Sequence, residues 1–265
     1  MRDGTLDFVA GAAHATLMAF PEWQGARLLA ALAQRMYWLL VLRSDLGAGR
    51  GEIHRVKGLR RLLAAAGIDP ERDGVQIGPV PGASEAGVSF GVAAARALEE
   101  RKLDGFWANA MGAEVAVRRG VGTVVLDVRR GDGPSTAWHY TFPALVTTEA
   151  QLERDPESVA AAIRAIVKTQ QALREDPSRA TEVGRRLFPP TEAVRRDLPY
   201  YDPTISEDVV ANLNQFAQDM GLLSAPVPYD HVVAIHFRHL WNPVRRSRCQ
   251  VCHATTVDVG LGRGN

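Results

Sequence analysis

The chain has 265 residues, 46% of them hydrophobic, which is enough to bury the core of one large domain or two of ordinary size. Its 31 basic and 30 acidic residues nearly cancel, which argues against a nucleic-acid-binding protein, because such a protein needs a concentrated positive face. The longest apolar run, MYWLLVL at 36–42, is too short to span a bilayer. No apolar secretory segment follows Met1, so we expect a soluble product that is cytoplasmic as written.

Strand-like and helix-like segments alternate along the first half of the chain. LDFVAG at 6–11 predicts a short buried strand, and the short helix after it ends at Pro21 because proline cannot continue a helix. The next segments are an apolar run at 26–33, a strand at 36–43, a helix at 60–68, a strand at 74–80, a helix at 86–102, a strand at 103–108, a helix at 110–120 and a strand at 122–129. This alternation predicts a parallel-rich sheet covered by helices on both faces.

After an extended segment at 139–149, the second half of the chain is predicted to be helical. Asp155 is a predicted N-cap followed by Pro156, and Ser206 is a second predicted N-cap. The first of these helices carries an apolar face of Val159, Ile163, Ile166 or Val167, and Leu173. The last carries a stripe of Val209, Val210, Leu213, Phe216 and Met220, and ends at Gly221. Between them, Asp176 and Pro177 restart a helix that ends near 187–190.

A run of very small side chains, GAAHAT at 11–16, joins the first predicted strand to the first predicted helix. In an open α/β sheet, ligands bind where strands end and helices begin. Gly11, Ala12 and Ala13 would let a ligand approach the backbone, while His14 and Thr16 could add hydrogen bonds. The same residues could instead serve only tight strand–helix packing, with His14 a satisfied, partly buried imidazole. The local sequence leaves both interpretations open.

GFWANAMGAEV at 105–115 repeats this arrangement later in the chain. Trp107 offers a flat apolar surface with one donor, and Asn109 can both donate and accept at the start of the next helix. A tryptophan in a strand also often packs in the core, so a purely structural role for Trp107 is the alternative interpretation. We expect Glu114 to be a solvated helix residue.

Aromatic residues stand at the two places where the character of the sequence changes. Tyr140 and Phe142 precede the helical half, and Tyr37 and Trp38 open the strand at 36–43. These side chains could line a cleft between two lobes or could belong to ordinary strand packing. We count Tyr140 and Trp38 among the candidate ligand-binding residues.

CQVCH at 249–253 has the C-x-x-C-H spacing of a c-type haem attachment site. Covalent haem also needs an apolar pocket, whereas the tail around this motif is basic and poor in apolar residues. A zinc site is the other possibility, with Cys249, Cys252 and His253 as its candidate ligands. We expect an incidental tail, with no haem or other cofactor and no metal.

The sequence contains none of the common catalytic signatures. We find no G-x-S-x-G, no H-E-x-x-H, no Walker loop and no G-x-G-x-x-G. We therefore expect a protein that is not an enzyme.

Five stretches carry a family resemblance: GTLDFVAGAAHATLMAF, MYWLLVLRSD, VKGLR, GVQIGPVPGASEAGVSFGVAAARALEERKLDGFWANAMGAEVAVRRG and HYTFPALVTTEAQLERDPESVAAAIRAI. In this order they resemble the substrate-binding proteins of ABC importers, most closely the nitrate/sulfonate/taurine and thiamine-precursor type. The resemblance covers roughly residues 4 to 240. Its specificity lies in the order of the parts, from the G-x-L-D-F strand through the V-K-G turn and the L-D-G-F-W strand to a long helix.

The resemblance implies an α/β fold of the periplasmic-binding-protein type II class. Two α/β lobes would be joined by two crossover hinge strands, MYWLLVLR and HYTFPALV, and followed by a helical C-terminal part. We expect lobe 1 to comprise residues 1–36 and 138–241, lobe 2 residues 37–137, and residues 242–265 to form a disordered tail.

The resemblance also implies a function. The family binds a small organic or inorganic solute in the cleft between the lobes, closes around it and delivers it to membrane permease subunits. The ligand loop of lobe 1 would include Ala12, Ala13 and His14, and that of lobe 2 Trp107 and Asn109. Such proteins are periplasmic or extracytoplasmic, and we expect a monomer that does not bind nucleic acid.

Two parts of the family pattern are not found in this sequence. A strand–helix–strand unit normally precedes the L-D-F strand, and a further strand normally follows V-K-G. Two alternatives therefore stay open beside the solute-binding protein. One is a degenerate remnant that binds nothing. The other is a thiamine-precursor-biosynthesis enzyme on the same fold, although that branch uses a cysteine-rich iron site and nothing comparable precedes Cys249.

The haem interpretation of CQVCH has a direct test. Protein produced together with a haem-ligation system should be colourless after purification, because the tail lacks the apolar residues that would enclose a porphyrin. The measurement is the visible absorption spectrum. A Soret band that stays with the denatured chain would show covalent haem and overturn the expectation.

Overall fold

The computed structural model describes residues 1–48, 69, 71–72, 74, 78–81, 90–133, 135–180 and 197–242. Within these residues, the strands form two three-stranded sheets. The strands are β1 (Phe8–Ala12), β2 (Ala26–Ala31), β3 (Trp38–Arg43), β4 (Gly105–Asn109), β5 (Gly122–Asp127) and β6 (Pro143–Thr148). The helix predicted at 60–68 lies outside the described residues, as do most of the strand predicted at 74–80 and the end of the helix predicted near 187–190.

Five of the seven helices of the described residues were predicted; the short helices Glu149–Arg154 and Tyr229–Val232 were not. The seven helices are α1 (Thr16–Ala19), α2 (Phe90–Glu99), α3 (Ala110–Arg118), α4 (Glu149–Arg154), α5 (Pro156–Glu175), α6 (Glu207–Asp219) and α7 (Tyr229–Val232). Short 3₁₀ turns connect several elements, including the turn Ala13–Ala15 between β1 and α1. The alternation of helix and strand predicted from 86 to 129 is therefore confirmed over its described part.

Each sheet has its central strand antiparallel to both neighbours. The first sheet has the order β1-β6-β2 and the second the order β4-β3-β5. The prediction of a parallel-rich sheet is therefore wrong for the described strands. The chain enters β3 directly from the first sheet and enters β6 from the second. Neither central strand follows a helical crossover within its own sheet, so nothing constrains it to run parallel.

β1 forms one edge of the first sheet, and the prediction of a buried strand at 6–11 is wrong. Val9 is 38% exposed and Ala10 is also exposed, because β6 covers β1 on one side only. The opposite edge of the sheet is better covered: Leu28 O accepts a hydrogen bond from Ala234 N, and Ala31 N donates to Pro203 O. Short apolar runs do not distinguish edge strands from central ones.

The first sheet packs against helices from the second half of the chain. Asp155 caps α5 by accepting a hydrogen bond from Ser158 N at 3.0 Å, as predicted. Along α5, Val159, Ile163 and Val167 are buried in the same apolar cluster as the β2 strand. This resolves the choice between Ile166 and Val167 in favour of Val167, while Ile166 packs at the margin of the cluster.

Helix α6 begins and ends where the sequence predicts. Ser206 accepts a hydrogen bond from Val209 N, and Gly221 follows the helix with a φ of +69°, which favours glycine. Met220, however, is 51% exposed, and its place in the apolar stripe is a wrong prediction. It is the C-cap residue, just after the last helical residue Asp219.

Both faces of the second sheet are buried. The side chains of β3 point alternately to the two faces, and each face packs in its own apolar cluster. Leu39 and Val41 face a cluster that contains residues of α2 and α3. Leu40 and Leu42 face a second cluster that also contains Phe216 of α6. Since neighbouring residues of α6 are buried in the cluster of the first sheet, this helix contributes to both cores. The boundaries predicted for two lobes stay a prediction.

Helices α2 and α3 cross at two glycines, and this close approach positions the start of α3. A Cβ atom on Gly112 would lie 2.5 Å from Gly91 O and 2.7 Å from Gly91 Cα. These are backbone atoms, which cannot move aside as a flexible side chain can. Any larger residue at Gly112 would separate the two helices.

We therefore expect Gly112→Ala to lower the free energy of unfolding by about 2 kcal/mol through overpacking, even though alanine favours helix. Gly11→Ala is the matched control, because a Cβ on Gly11 would meet nothing within 4 Å. Denaturant unfolding followed by circular dichroism measures both variants. Equal stability of the two variants would contradict the close packing.

Candidate ligand-binding site

The turn after β1 directs His14 toward the second sheet. Ala13 is fully buried and fixes the turn by donating its N–H to Phe142 O at 2.9 Å. The His14 Nδ1 atom lies 3.1 Å from Thr141 Oγ1. The centroid of the His14 ring lies 6.3 Å from that of Trp38, at the start of β3. A residue from the turn after the first sheet's β1 thus lies next to a residue of the second sheet.

Trp38 is the centre of a group of rings drawn from distant parts of the chain. Its centroid lies 6.0 Å from Tyr37, 6.2 Å from Trp107 on β4 and 6.4 Å from Phe90, the first residue of α2. The group continues through Phe216, which lies 5.3 Å from His14 and stacks on Tyr140 at 4.9 Å. We call this group the ring cluster; its members are His14, Tyr37, Trp38, Phe90, Trp107, Tyr140 and Phe216.

Several of the predicted site residues come together at this cluster. His14, Trp38, Trp107 and Tyr140 are members, and Asn109 pairs with Trp38 across β4 and β3. The Asn109 Oδ1 atom also caps α3 by accepting a hydrogen bond from Gly112 N at 3.4 Å. Their role as ligand contacts stays a prediction.

The other predicted residues of the first loop lie elsewhere. Gly11, Ala12 and Thr16 line a separate cavity of about 260 Å³ beside β1, and its walls contain no member of the ring cluster. Ala13 belongs to the buried core of the first sheet. Gly11 and Ala12 end β1 and Thr16 begins α1, so residues on either side of His14 face a different space from His14 itself.

Burial determines the charge of the one histidine in the cluster. The apolar surroundings lower the pKa of His14 from 6.5 to about 4, so the imidazole is neutral at pH 7. Burial also raises the pKa of the Tyr37 hydroxyl, and hydrogen bonding with the Trp38 side chain and the charge of Arg129 oppose this shift only in part. Both side chains are therefore uncharged at neutral pH.

The sequence did not single out Phe90, Phe216, Thr141 or Arg129. Phe216 was interpreted as one member of a helical stripe, and Arg129 as the last residue of the strand predicted at 122–129. Arg129 is 7% exposed, forms an ion pair with Asp197 at 2.6 Å and lies 5.9 Å from the Tyr37 ring. The hydrophobic periodicity of a sequence places such residues on a helix or strand. It does not show which other helix or strand their side chains contact.

The arrangement offers aromatic faces with a few hydrogen-bonding groups at their margin. His14, Thr141 and Asn109 supply these polar groups. Among the residues that the structure describes, no group of three or more His, Cys, Asp or Glu side chains could hold a metal ion. Cys249, Cys252 and His253 lie outside the described residues.

None of the described helices has the length and apolar character needed to cross a membrane.

By sequence, the chain matches no family model and no curated protein. By structure, it is similar to the alkanesulfonate-binding protein SsuA from Xanthomonas axonopodis pv. citri bound to MOPS. That match has a TM-score of 0.64 and 13% identity, and covers 85% of this chain and 79% of that one. The ligand-binding component of an ABC-type import system from Staphylococcus aureus matches with a TM-score of 0.64 and 14% identity, over 93% of this chain and 83% of that one.

A third similar structure is an enzyme. The desulfurization enzyme DszB matches with a TM-score of 0.61 and 17% identity, over 88% of this chain and 84% of that one. The chain therefore has the fold of periplasmic-binding-protein type II structures, which confirms the predicted fold class. At these identities, the likeness establishes the fold alone.

The environment of His14 predicts a pH dependence of stability. The unfolded chain binds a proton at this residue below pH 6.5, whereas the folded chain does so only near pH 4. Stability should therefore fall as the pH drops from 6.5 to 4, by at most about 3 kcal/mol from this group. His14→Gln should remove this part of the loss, as measured by urea unfolding at a series of pH values.

The same substitution at the exposed His236 controls for the loss of a histidine as such. If wild type and His14→Gln lose stability in parallel over this pH range, His14 is not a buried neutral imidazole.

Proposed function

We propose that the protein is the solute-binding component of an ABC importer, which takes up a small solute in a cleft between two lobes and delivers it to membrane permease subunits. The main observation behind the proposal is that the His14 and Trp107 rings both lie next to Trp38. His14 follows a strand of the first sheet, and Trp107 is on β4 of the second. A solute held there would touch both sheets at once. This function would place the protein outside the cytoplasmic membrane, as a monomer until it meets the permease.

The likeness to known structures supports this proposal. One similar protein is described as alkanesulfonate-binding and another as the ligand-binding component of an ABC-type import system. In a two-lobe binding protein, a solute that contacts both lobes stabilises the closed state by its differential affinity for that state. The position of the ring cluster between the two sheets suits such a mechanism.

An enzyme is the second candidate, because the similar structure of DszB belongs to a desulfurization enzyme. The polar groups at the ring cluster, His14, Thr141 and Asn109, suit hydrogen bonding to a bound solute. A catalyst would convert the solute that it binds, whereas a binding protein would release it unchanged. Analysis of the solute by mass spectrometry after incubation with the protein separates these candidates.

A thermal-unfolding screen against sulfonates, nitrate, pyrimidines and aromatic acids tests the binding function. A ligand present at 100 times its dissociation constant should stabilise the folded chain by about 2.7 kcal/mol. If no member of these classes shifts the unfolding temperature, the proposal fails and the interpretation as a non-binding remnant gains support.

For a ligand found in this way, we expect Trp38→Leu to weaken binding at least tenfold, because Trp38 contacts rings from both sides of the site. Ala12→Leu is the control at the separate cavity and should change affinity less than twofold. Isothermal titration calorimetry measures both. The reverse result would place the site in the cavity beside β1.

A further inference from the structure

The chain crosses between the two sheets twice, and the two crossings contact each other. The first crossing leads from β2 to β3, and the second from β5 to β6. Met36 N on the first crossing donates a hydrogen bond to Trp138 O on the second at 3.3 Å, and Leu32 N donates to Pro143 O at 2.8 Å. Because the chain joins the sheets at these segments, a turn of one sheet relative to the other changes the backbone here.

Arg129 lies on the second crossing, directly after β5, and its side chain reaches the first crossing. Its Nη2 atom donates to Gln34 O at 3.4 Å, and its Cζ atom lies 5.9 Å from the centroid of the Tyr37 ring. The Arg129 N–H donates to Asp127 Oδ1 at 3.1 Å, which anchors the backbone of this residue to the end of β5. One side chain therefore joins both crossings.

A third segment of the chain contacts the same guanidinium. Asp197 Oδ1 lies 2.6 Å from Nη1, and the centroid of the Tyr200 ring lies 5.0 Å from Cζ. The Tyr200 hydroxyl donates to Arg129 O at 2.9 Å, and Gln34 N donates to Tyr200 O at 2.7 Å. Arg129, Gln34 and Tyr200 thus contact one another in pairs, although they come from three distant segments.

The surroundings of Arg129 favour a geometric role over a stabilising one. Its side chain is 4% exposed, and its Nε atom has no hydrogen-bond partner among the residues that the structure describes. Burying an ion pair costs hydration, and well-packed apolar residues at such a position often give equal or greater stability. An apolar pair cannot reproduce the direction of the contacts, because the planar guanidinium holds its acceptors at fixed angles.

We infer that Arg129 is a positioning residue that, through Asp197 and Gln34, restricts how far the two sheets turn relative to each other; this inference rests on the proposed function, in which a solute is bound between them. Trp38 follows Tyr37 at the end of the first crossing, so the position of this crossing also sets that of the ring cluster. With the crossings held, less ordering of the sheets is needed when a solute binds.

The distance between two spin labels, one beside each sheet, tests this inference without a solute. Val117→Cys on α3 and Glu157→Cys on α5 provide exposed positions for the labels. Cys249→Ser and Cys252→Ser remove the two native thiols, which gives the parent chain for all comparisons. Double electron–electron resonance then measures the distribution of distances between the labels.

We expect a narrow distribution in the parent chain and one about 1.5-fold wider or more in Arg129→Met/Asp197→Asn, because the contacts across the crossings are lost. This double variant leaves no unpaired buried charge, so it should unfold within about 3 °C of the parent. Glu99→Gln is the matched control. It breaks the ion pair of Glu99 with Arg119, which joins the ends of α2 and α3 beside one sheet, and should leave the distribution unchanged.

A double variant with a distribution no wider than that of the parent overturns the inference, because the sheets would then be held without Arg129. Equal widening by Glu99→Gln overturns it as well. If the double variant does not fold, Arg129→Lys replaces it: lysine keeps the charge but lacks the fork that reaches Asp197 and Gln34 together, so the distribution should still widen. A distribution as narrow as the parent's overturns the inference there too.

These outcomes are separate from those of the proposed function, because no solute is present. An unchanged distribution leaves the proposed function standing, whereas a solute screen without any stabilising compound overturns the proposed function.

Discussion

The contact between the His14 and Trp38 rings is the interaction on which the site depends. His14 follows an edge strand of the first sheet, and Trp38 opens the central strand of the second. Their contact is apolar in character because burial keeps the imidazole neutral at physiological pH. A charged histidine would lose hydration here without a paired charge in return. The contact between the sheets is therefore most favourable while the histidine is uncharged.

The fold brings these residues together through its two central strands. β3 and β6 each begin where the chain has just crossed from the other sheet, so the residues beside these crossings are near both sheets. Trp38 and Tyr140 stand at these positions. Helix α6 strengthens the junction, because Phe216 packs with the second sheet while Val210 and Leu213 are buried with the first.

Much of the local structure follows from short-range rules. Asp155 and Ser206 were predicted as helix caps and do cap their helices, because an N-cap bond involves only residues three positions apart. The fold class was also predictable, from the order of strands and helices together with the family resemblance. The choice between Ile166 and Val167 was not, since the two are adjacent in the helix and only the position of the sheet decides which is buried.

The sequence by itself thus determined most of the described elements, the caps Asp155 and Ser206, and the aromatic residues that stand where the chain crosses between the sheets. Only the tertiary structure decided that β1 is an edge strand and that the described strand pairs are antiparallel, because strand order and direction depend on hydrogen bonds between distant segments. It also separated residues at the end of β1, placing His14 beside Trp38 while Gly11 and Ala12 line a different cavity. Phe90 and Phe216 belong to the ring cluster for the same reason. Packing between distant segments decides which residues they contact, and no local sequence pattern shows these contacts.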